Sequence, residues 1–421
     1  MNSTAFSPRN ACLFLLLIFI AMSAEAQQVY SIQKLPTIGG QAASRRHPNH
    51  INGINKSAQA TGCSPTSSLD SHVFMWTPGA GIQDLGVKCG SSLPGGINDL
   101  GHVATESPDL GGFLWSSSGG FQIVGDAVPA SVNNSDEVTG GAYFLGNFHA
   151  FLWSVQDPTL HDLGTLFNSS ESEGLAINDS SQIAGWSLAN QGPIPFLWTA
   201  DSGMTQTAST LLSAFAINGQ NTIAGESTGA QAAIWTLDGG VQELGVLPGT
   251  AQSYGWAINN HGVVVGNSFP ANKRPGFVFL WSPTQGMLNL NSLCKNKQPN
   301  WFSAGINDAG QIAINRINGD SLILTPIMKV TAASSLNPSH HGQLVTVTAT
   351  VTSIAGPPPD GELVTFADSS AVLGMEPLVN GQATFALTGL SVGTHLIQAT
   401  YPGDTNYASS AAKALKQVVK P

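Results

Sequence analysis

One short pattern recurs seven times along this chain and constrains its fold more than anything else. The copies read GINKSAQATGCS from Gly53, GINDLGHVATES from Gly96, SVNNSDEVTGGA from Ser131, AINDSSQIAGWS from Ala176, AINGQNTIAGES from Ala216, AINNHGVVVGNS from Ala257 and GINDAGQIAINR from Gly305. Their shared asparagines, Asn55, Asn98, Asn133, Asn178, Asn218, Asn259 and Asn307, stand about 42 residues apart on average. A fixed period of this length means one supersecondary unit stacked on copies of itself, because a single unit cannot bury its own apolar face.

Two further elements travel with the asparagine. An apolar run ends at Trp76, Trp115, Trp153, Trp198, Trp235 and Trp281, with Leu324 in the seventh copy, and a DLG-like run follows, as in IQDLG (82 to 86) and VQELGVL (241 to 247). Each unit thus offers four short strands bounded by Gly, Asn, Pro or Ser: a (DLG-like), b (ending in IN), c (QIAG-like) and d (ending in Trp). Four strands in about 42 residues make one propeller blade. The chain opens with an orphan a strand, YSIQKLPTIGG from Tyr30, and its last copy supplies only b, c and d, so both ends must share a blade. Such sharing removes the unpaired edges of an open array. The expectation is an all-β chain with a closed seven-bladed β-propeller; the alternative is an open stack or another blade number. The tryptophans are expected to fill the wedges between blades, each NH meeting a neighbouring carbonyl. The Asn-rich b–c turn reads as a tight hairpin needing left-handed backbone. It lacks the alternating acids of a calcium loop.

Only 10% of the 421 residues are charged and the net charge is −10, with no basic stripe, so neither nucleic acid nor an anionic membrane is an expected partner. Residues 1–26 have the parts of a secretory signal: Arg9, an apolar run from Ala11 to Met22, and Ala24-Glu25-Ala26 as cleavage site. A secreted or surface-held chain is expected, with no membrane insertion once the signal is removed and release unless its own binding holds it. Cys63, Cys89 and Cys294 remain after cleavage. Cys63 with Cys89 is the expected disulfide; the alternative is three small buried residues.

The stretch His149-Ala150-Phe151-Leu152-Trp153, with LHDLGTL and AINDSSQIAG after it, resembles the HAF repeat of bacterial extracellular proteins, over roughly residues 29 to 327. That resemblance implies secretion and carries no catalytic residues. The propeller is assigned to 27–327. From 328 to 421 the period stops and runs of period two take over: Val345, Val347, Ala349 and Val351 share one face of a half-buried strand. About seven short strands in this tail read as a β-sandwich. Through NPSHHGQLVTVTATV, GELVTFADSSAVLG and NGQATFALTGLSVGTHLIQATYPGDTNY it resembles the bacterial Ig-like domains of group 3, which implies a spacer or adhesive module. Tyr401 and Asp404 read as structural.

Antiparallel strands put the a–b and c–d connections on one face and the b–c and d–a connections on the other. The first set varies from copy to copy, as binding loops on a rigid scaffold do. Its expected contact residues are Arg45, Arg46, His47, His50, Tyr143, Phe148, Lys273, Arg274, Lys295, Lys297 and Trp301, a polar and partly aromatic rim suited to an extracellular glycan or protein. Against this stands the plain reading that loops are polar because they are wet. No HExxH, GxSxG, phosphate loop or CxxC is present. No metal or cofactor is expected; His47 and His50 flank Pro48 in a loop without a third ligand. The leading reading is a non-catalytic binding or adhesion protein. The alternatives are a polysaccharide lyase or glycoside hydrolase, with Glu171, Glu173, His47 and His50 as first candidates, and a purely structural envelope protein.

Overall fold

The computed structural model describes residues 29–39, 50–68, 70–90, 95–189, 192–271, 276–294, 301–317, 320–404 and 406–421. The expected leader, 1–26, lies outside the described residues. Seven four-stranded antiparallel sheets form a ring of blades, each with strand order b, c, d, a. Blade 4 is typical: Ser172–Ile177, Ile183–Ala189, Gly192–Thr199 and Gly203–Gln206. In blade 7, strands b, c and d (Trp301–Ile306, Ile312–Arg316 and Ser321–Pro326) are completed by Tyr30–Lys34 from the start of the chain. The ring is closed as its strand count required.

The inner b strands carry two local features written into the repeat. The residue two before each asparagine is small, because adjacent b strands nearly touch there; a side chain on Gly53 would meet Ile97, and one on Gly305 would meet Ile54. One residue earlier, b is bulged. In blades 1 and 3 to 7, the residue at this place has no partner on c: Asn52, Ala130, Leu175, Phe215, Trp256 and Ala304 respectively. A bulge kinks its strand and pushes backbone sideways. In five blades this explains the Gly of the QIAG pattern on c. A Cβ on Gly62, Gly140, Gly185, Gly225 or Gly266 would fall on the carbonyl oxygen of the inner strand. Ile314 takes this place in blade 7, and the pairing itself does not explain its accommodation.

Replacing Gly225 by Val should therefore lower the unfolding free energy by about 2–3 kcal/mol, since the Ser213 carbonyl blocks the new side chain. Urea melts of the two proteins test this. An unchanged midpoint would mean that the bulge does not dictate the glycine.

Apolar clusters fill the wedges between blades. Trp281 of blade 6 packs with Phe279 and Val264 against Ala224, Leu244 and Leu247 of blade 5, and Trp235 packs against Ala184 and Leu197 of blade 4. This is the expected role of the repeated ring. The expectation that each indole NH finds a carbonyl does not hold throughout: Trp153 Nε1 is buried without a partner. Cys63 is bonded to Cys89, and Cys294 is a buried free thiol.

The C-terminal part is a two-sheet sandwich. Lys329–Ser334, Val345–Thr352 and Gln382–Leu387 form one sheet, and the other is built around Gly393–Tyr401, flanked by Leu363–Asp368 and Leu415–Lys420. Val345, Val347, Ala349 and Val351 all point into its core. Tyr401 is fully buried, and Asp404 caps a turn by accepting from the backbone N–H groups of Asn406 and Tyr407. The sandwich is seated on the propeller. Ala309, in the b–c turn of blade 7, is buried in the sandwich core, and a side chain on Gly310 would fall on Ala355.

Candidate functional site

The b strands line a central channel with different chemistry at its two ends. At the b–c end stand the seven repeated asparagines. In each turn the Asn side-chain oxygen accepts from backbone N–H groups downstream; Asn218 Oδ1 takes those of Gln220 (3.0 Å) and Thr222 (2.9 Å). The side-chain nitrogen then donates to the backbone carbonyl of the next asparagine. Asn55 reaches Asn98, Asn98 reaches Asn133, and so on through Asn133, Asn178, Asn218 and Asn259, until Asn307 reaches Asn55 at 2.9 Å. The bonds form one circle, all in the same rotational sense. The left-handed residue is three places further on, at Ala58, Gly101, Asp136, Ser181, Asn221, Gly262 and Gly310, every one with positive φ. Asparagine is thus used for its amide, which needs both donor and acceptor, and not for its backbone tolerance.

In five of the seven turns the residue after the asparagine adds a further bond to the next blade. The Asp99 N–H donates to Asn134 Oδ1, the Asn134 N–H to Asp179 Oδ1, and the Asn260 N–H to Asp308 Oδ1. These polar groups line a cavity of about 190 Å³, and their hydrogen-bonding capacity is largely consumed in joining blades.

The opposite end, on the a–b and c–d face, is a mouth of about 400 Å³. The residues three before each asparagine meet there: Asn52, Gly95, Ala130, Leu175, Phe215, Trp256 and Ala304. These include the six residues left unpaired at this bulge, so the bulge aims into the channel an inner-strand position that differs from blade to blade. Leu175, Phe215 and Trp256, in consecutive blades 4 to 6, make one apolar wall. Phe215 and Trp256 have ring centroids 4.4 Å apart, and Tyr254 continues the group 5.7 Å beyond Trp256. Trp256 is 38% exposed, high for so large an apolar side chain. Across the channel, blade 1 presents His50 and Asn52, whose Oδ1 accepts from His50 Nδ1 at 3.0 Å. Phe302 and Ser303 of blade 7 complete the rim.

Of the residues expected from sequence, His50 lies in this mouth. Tyr143 and Phe148 do not; they form an edge-to-face pair, centroids 5.2 Å apart, over a separate cleft of about 470 Å³ between blades 2 and 3 that Glu106 and Asp126 also line. Trp301 requires correction. It starts the inner strand of blade 7 and is fully buried in the core between blades 6 and 7, with its carbonyl accepting from Asn267 Nδ2, so it offers no surface. The polar run before it suggested a wet loop, but the strand begins at Trp301 itself. Arg45, Arg46, His47, Lys273, Arg274, Lys295 and Lys297 lie outside the described residues.

The acids proposed for catalysis do not line the mouth. Glu173 accepts from Trp186 Nε1 at 3.1 Å, and burial raises its pKa above the usual carboxylate range, partly offset by that bond. Leu175, Phe215 and Trp256 were missed because the repeat reads as beginning one residue later, at the small residue. The signal was present as LAIN, FAIN and WAIN.

The tail can be placed in a known family. Residues 330–420 form a bacterial Ig-like domain of group 3. This Ig-like domain therefore accounts for the sandwich. No curated protein matches the chain. Among solved structures it is similar to the extracellular domain of BT4673 from B. thetaiotaomicron, at 9% identity and a TM-score of 0.44, covering 94% of this chain and 59% of that one. It thus spans about three fifths of that domain's length. It is also similar to the Dos1 propeller (9% identity, TM-score 0.44, 70% of this chain and 95% of that one) and to the WD40 propeller of Doa1 (12%, 0.42, 70% and 97%).

Proposed function

We propose that this is a secreted, non-catalytic binding protein, a propeller of HAF-type repeats that takes its ligand in the channel mouth on the variable face. The observation that carries this reading is the set of bulges that converge side chains differing from blade to blade on one opening and leave Trp256 part-exposed there. Large rings clustered in a concave site bury much area at little entropic cost, which is how binding sites concentrate their energy. The opposite mouth has its polar groups engaged in holding the ring. On this reading the Ig-like domain, seated at the b–c turn of blade 7, leaves the binding face open.

Glycan-array and pull-down screens with the full mature chain should yield a partner whose affinity falls at least about tenfold in Trp256→Ala and is unchanged in Tyr143→Ala. A partner lost with Tyr143 and kept without Trp256 would move the site to the cleft between blades 2 and 3.

A further inference from the structure

Resting on that reading, we infer that the ligand is the free end of an uncharged sugar chain, inserted into the mouth with one ring face on Trp256 and its hydroxyl edge toward Asn52 and His50. Three features of the mouth lead there.

The first is its two unlike walls. Leu175, Phe215 and Trp256 offer apolar area on one side, and His50 and Asn52 face them from blade 1. Asn52 commits its oxygen to His50, which orients the amide, and among the described residues its Nδ2 has no protein acceptor. A wholly apolar ligand would leave that donor unpaired, at a cost of about 1–3 kcal/mol. A pyranose has the matching duality, with C–H groups on its face and hydroxyls at its edge.

The second is charge. Among the described lining residues none is Lys, Arg, Asp or Glu. Among the described lining residues none would supply a counter-charge to a uronate or phosphate, and the net charge of the chain is −10.

The third is depth. Beneath the bulged residues comes a layer of Ile and Val side chains just before each asparagine; Ile177, Ile217, Ile258 and Ile306 are all buried. The cavities above and below this layer share no lining residue. The mouth is a recess ringed by seven strands, and such a recess admits a chain end more readily than a chain lying across.

The test is calorimetry on the mature chain with maltotetraose, cellotetraose, xylotetraose, mannotetraose and chitotetraose, beside tetragalacturonate and the endless ring α-cyclodextrin. At least one neutral tetrasaccharide should bind, α-cyclodextrin and tetragalacturonate should not, and Trp256→Ala and Asn52→Ala should each weaken binding about tenfold at unchanged melting temperature. Binding of tetragalacturonate alone, equal binding of α-cyclodextrin and maltotetraose, or no neutral sugar bound at millimolar concentration overturns the inference. The channel-mouth reading survives those results if a protein partner depends on Trp256. A sugar that binds unchanged to both variants removes the two together.

Discussion

Replacing Asn218 by Ala should lower the stability of the propeller by about 3–5 kcal/mol, the largest effect expected of any single substitution in a turn. The side chain is 5% exposed and makes three bonds: it accepts from Gln220 and Thr222 N–H and donates to the Asn259 carbonyl. Alanine leaves two donors and one acceptor unpaired at a buried position, each costing about 1–3 kcal/mol. Asn218→Asp separates the two jobs. It keeps the oxygen for both N–H groups but sets a second oxygen against the Asn259 carbonyl, so it should also destabilise. Urea unfolding of both variants decides the matter. If Asn218→Asp is as stable as the parent, the bonds between blades contribute nothing and only the turn needs the side chain.

Removing the outer strand of blade 7, residues 29–35, should cost on the order of 5 kcal/mol or more and yield an associating protein. Five residues, Tyr30 to Lys34, pair with blade 7, and Tyr30 and Leu35 are buried almost completely. Full burial of one such side chain is worth about 1.5–3 kcal/mol, and the cut also bares strand Ser321–Pro326 as an unprotected edge. Size-exclusion chromatography and thermal melts measure both consequences. Adding a synthetic peptide of residues 29–39 should restore the parent's elution volume. A truncated chain with the parent's elution volume and melt would show that the ring is held without this strand.

Much of the architecture was legible because it is written seven times. Period, strand order and shared blade follow from counting Asn, Trp and DLG-like elements, and the alternation Val345, Val347, Ala349, Val351 announced the sandwich. The mouth was not legible. A bulge adds one residue against its partner strand, and nothing in a period-two reading marks where register slips, so Phe215 and Trp256 read as ordinary inner-strand residues. The ring of amides was hidden for a different reason. Asn explains a turn well enough alone, and only the blades' placement shows that Asn307 Nδ2 reaches the Asn55 carbonyl. Trp301 misled through its neighbours, since polar sequence before a strand says nothing about where the strand's first side chain points.

The shared blade also sets a clock. Ser31 lies beside Thr325, 294 residues later in the chain. During synthesis the strand that carries Ser31 has no partner until the last repeat arrives, and closing so long a loop is slow as well as entropically costly. Until then, neither the circle of amides nor the seven-walled mouth can exist. A truncated or stalled chain therefore presents open edges instead of a weakened ring, which makes an intact mouth a report that the whole repeat region has been delivered.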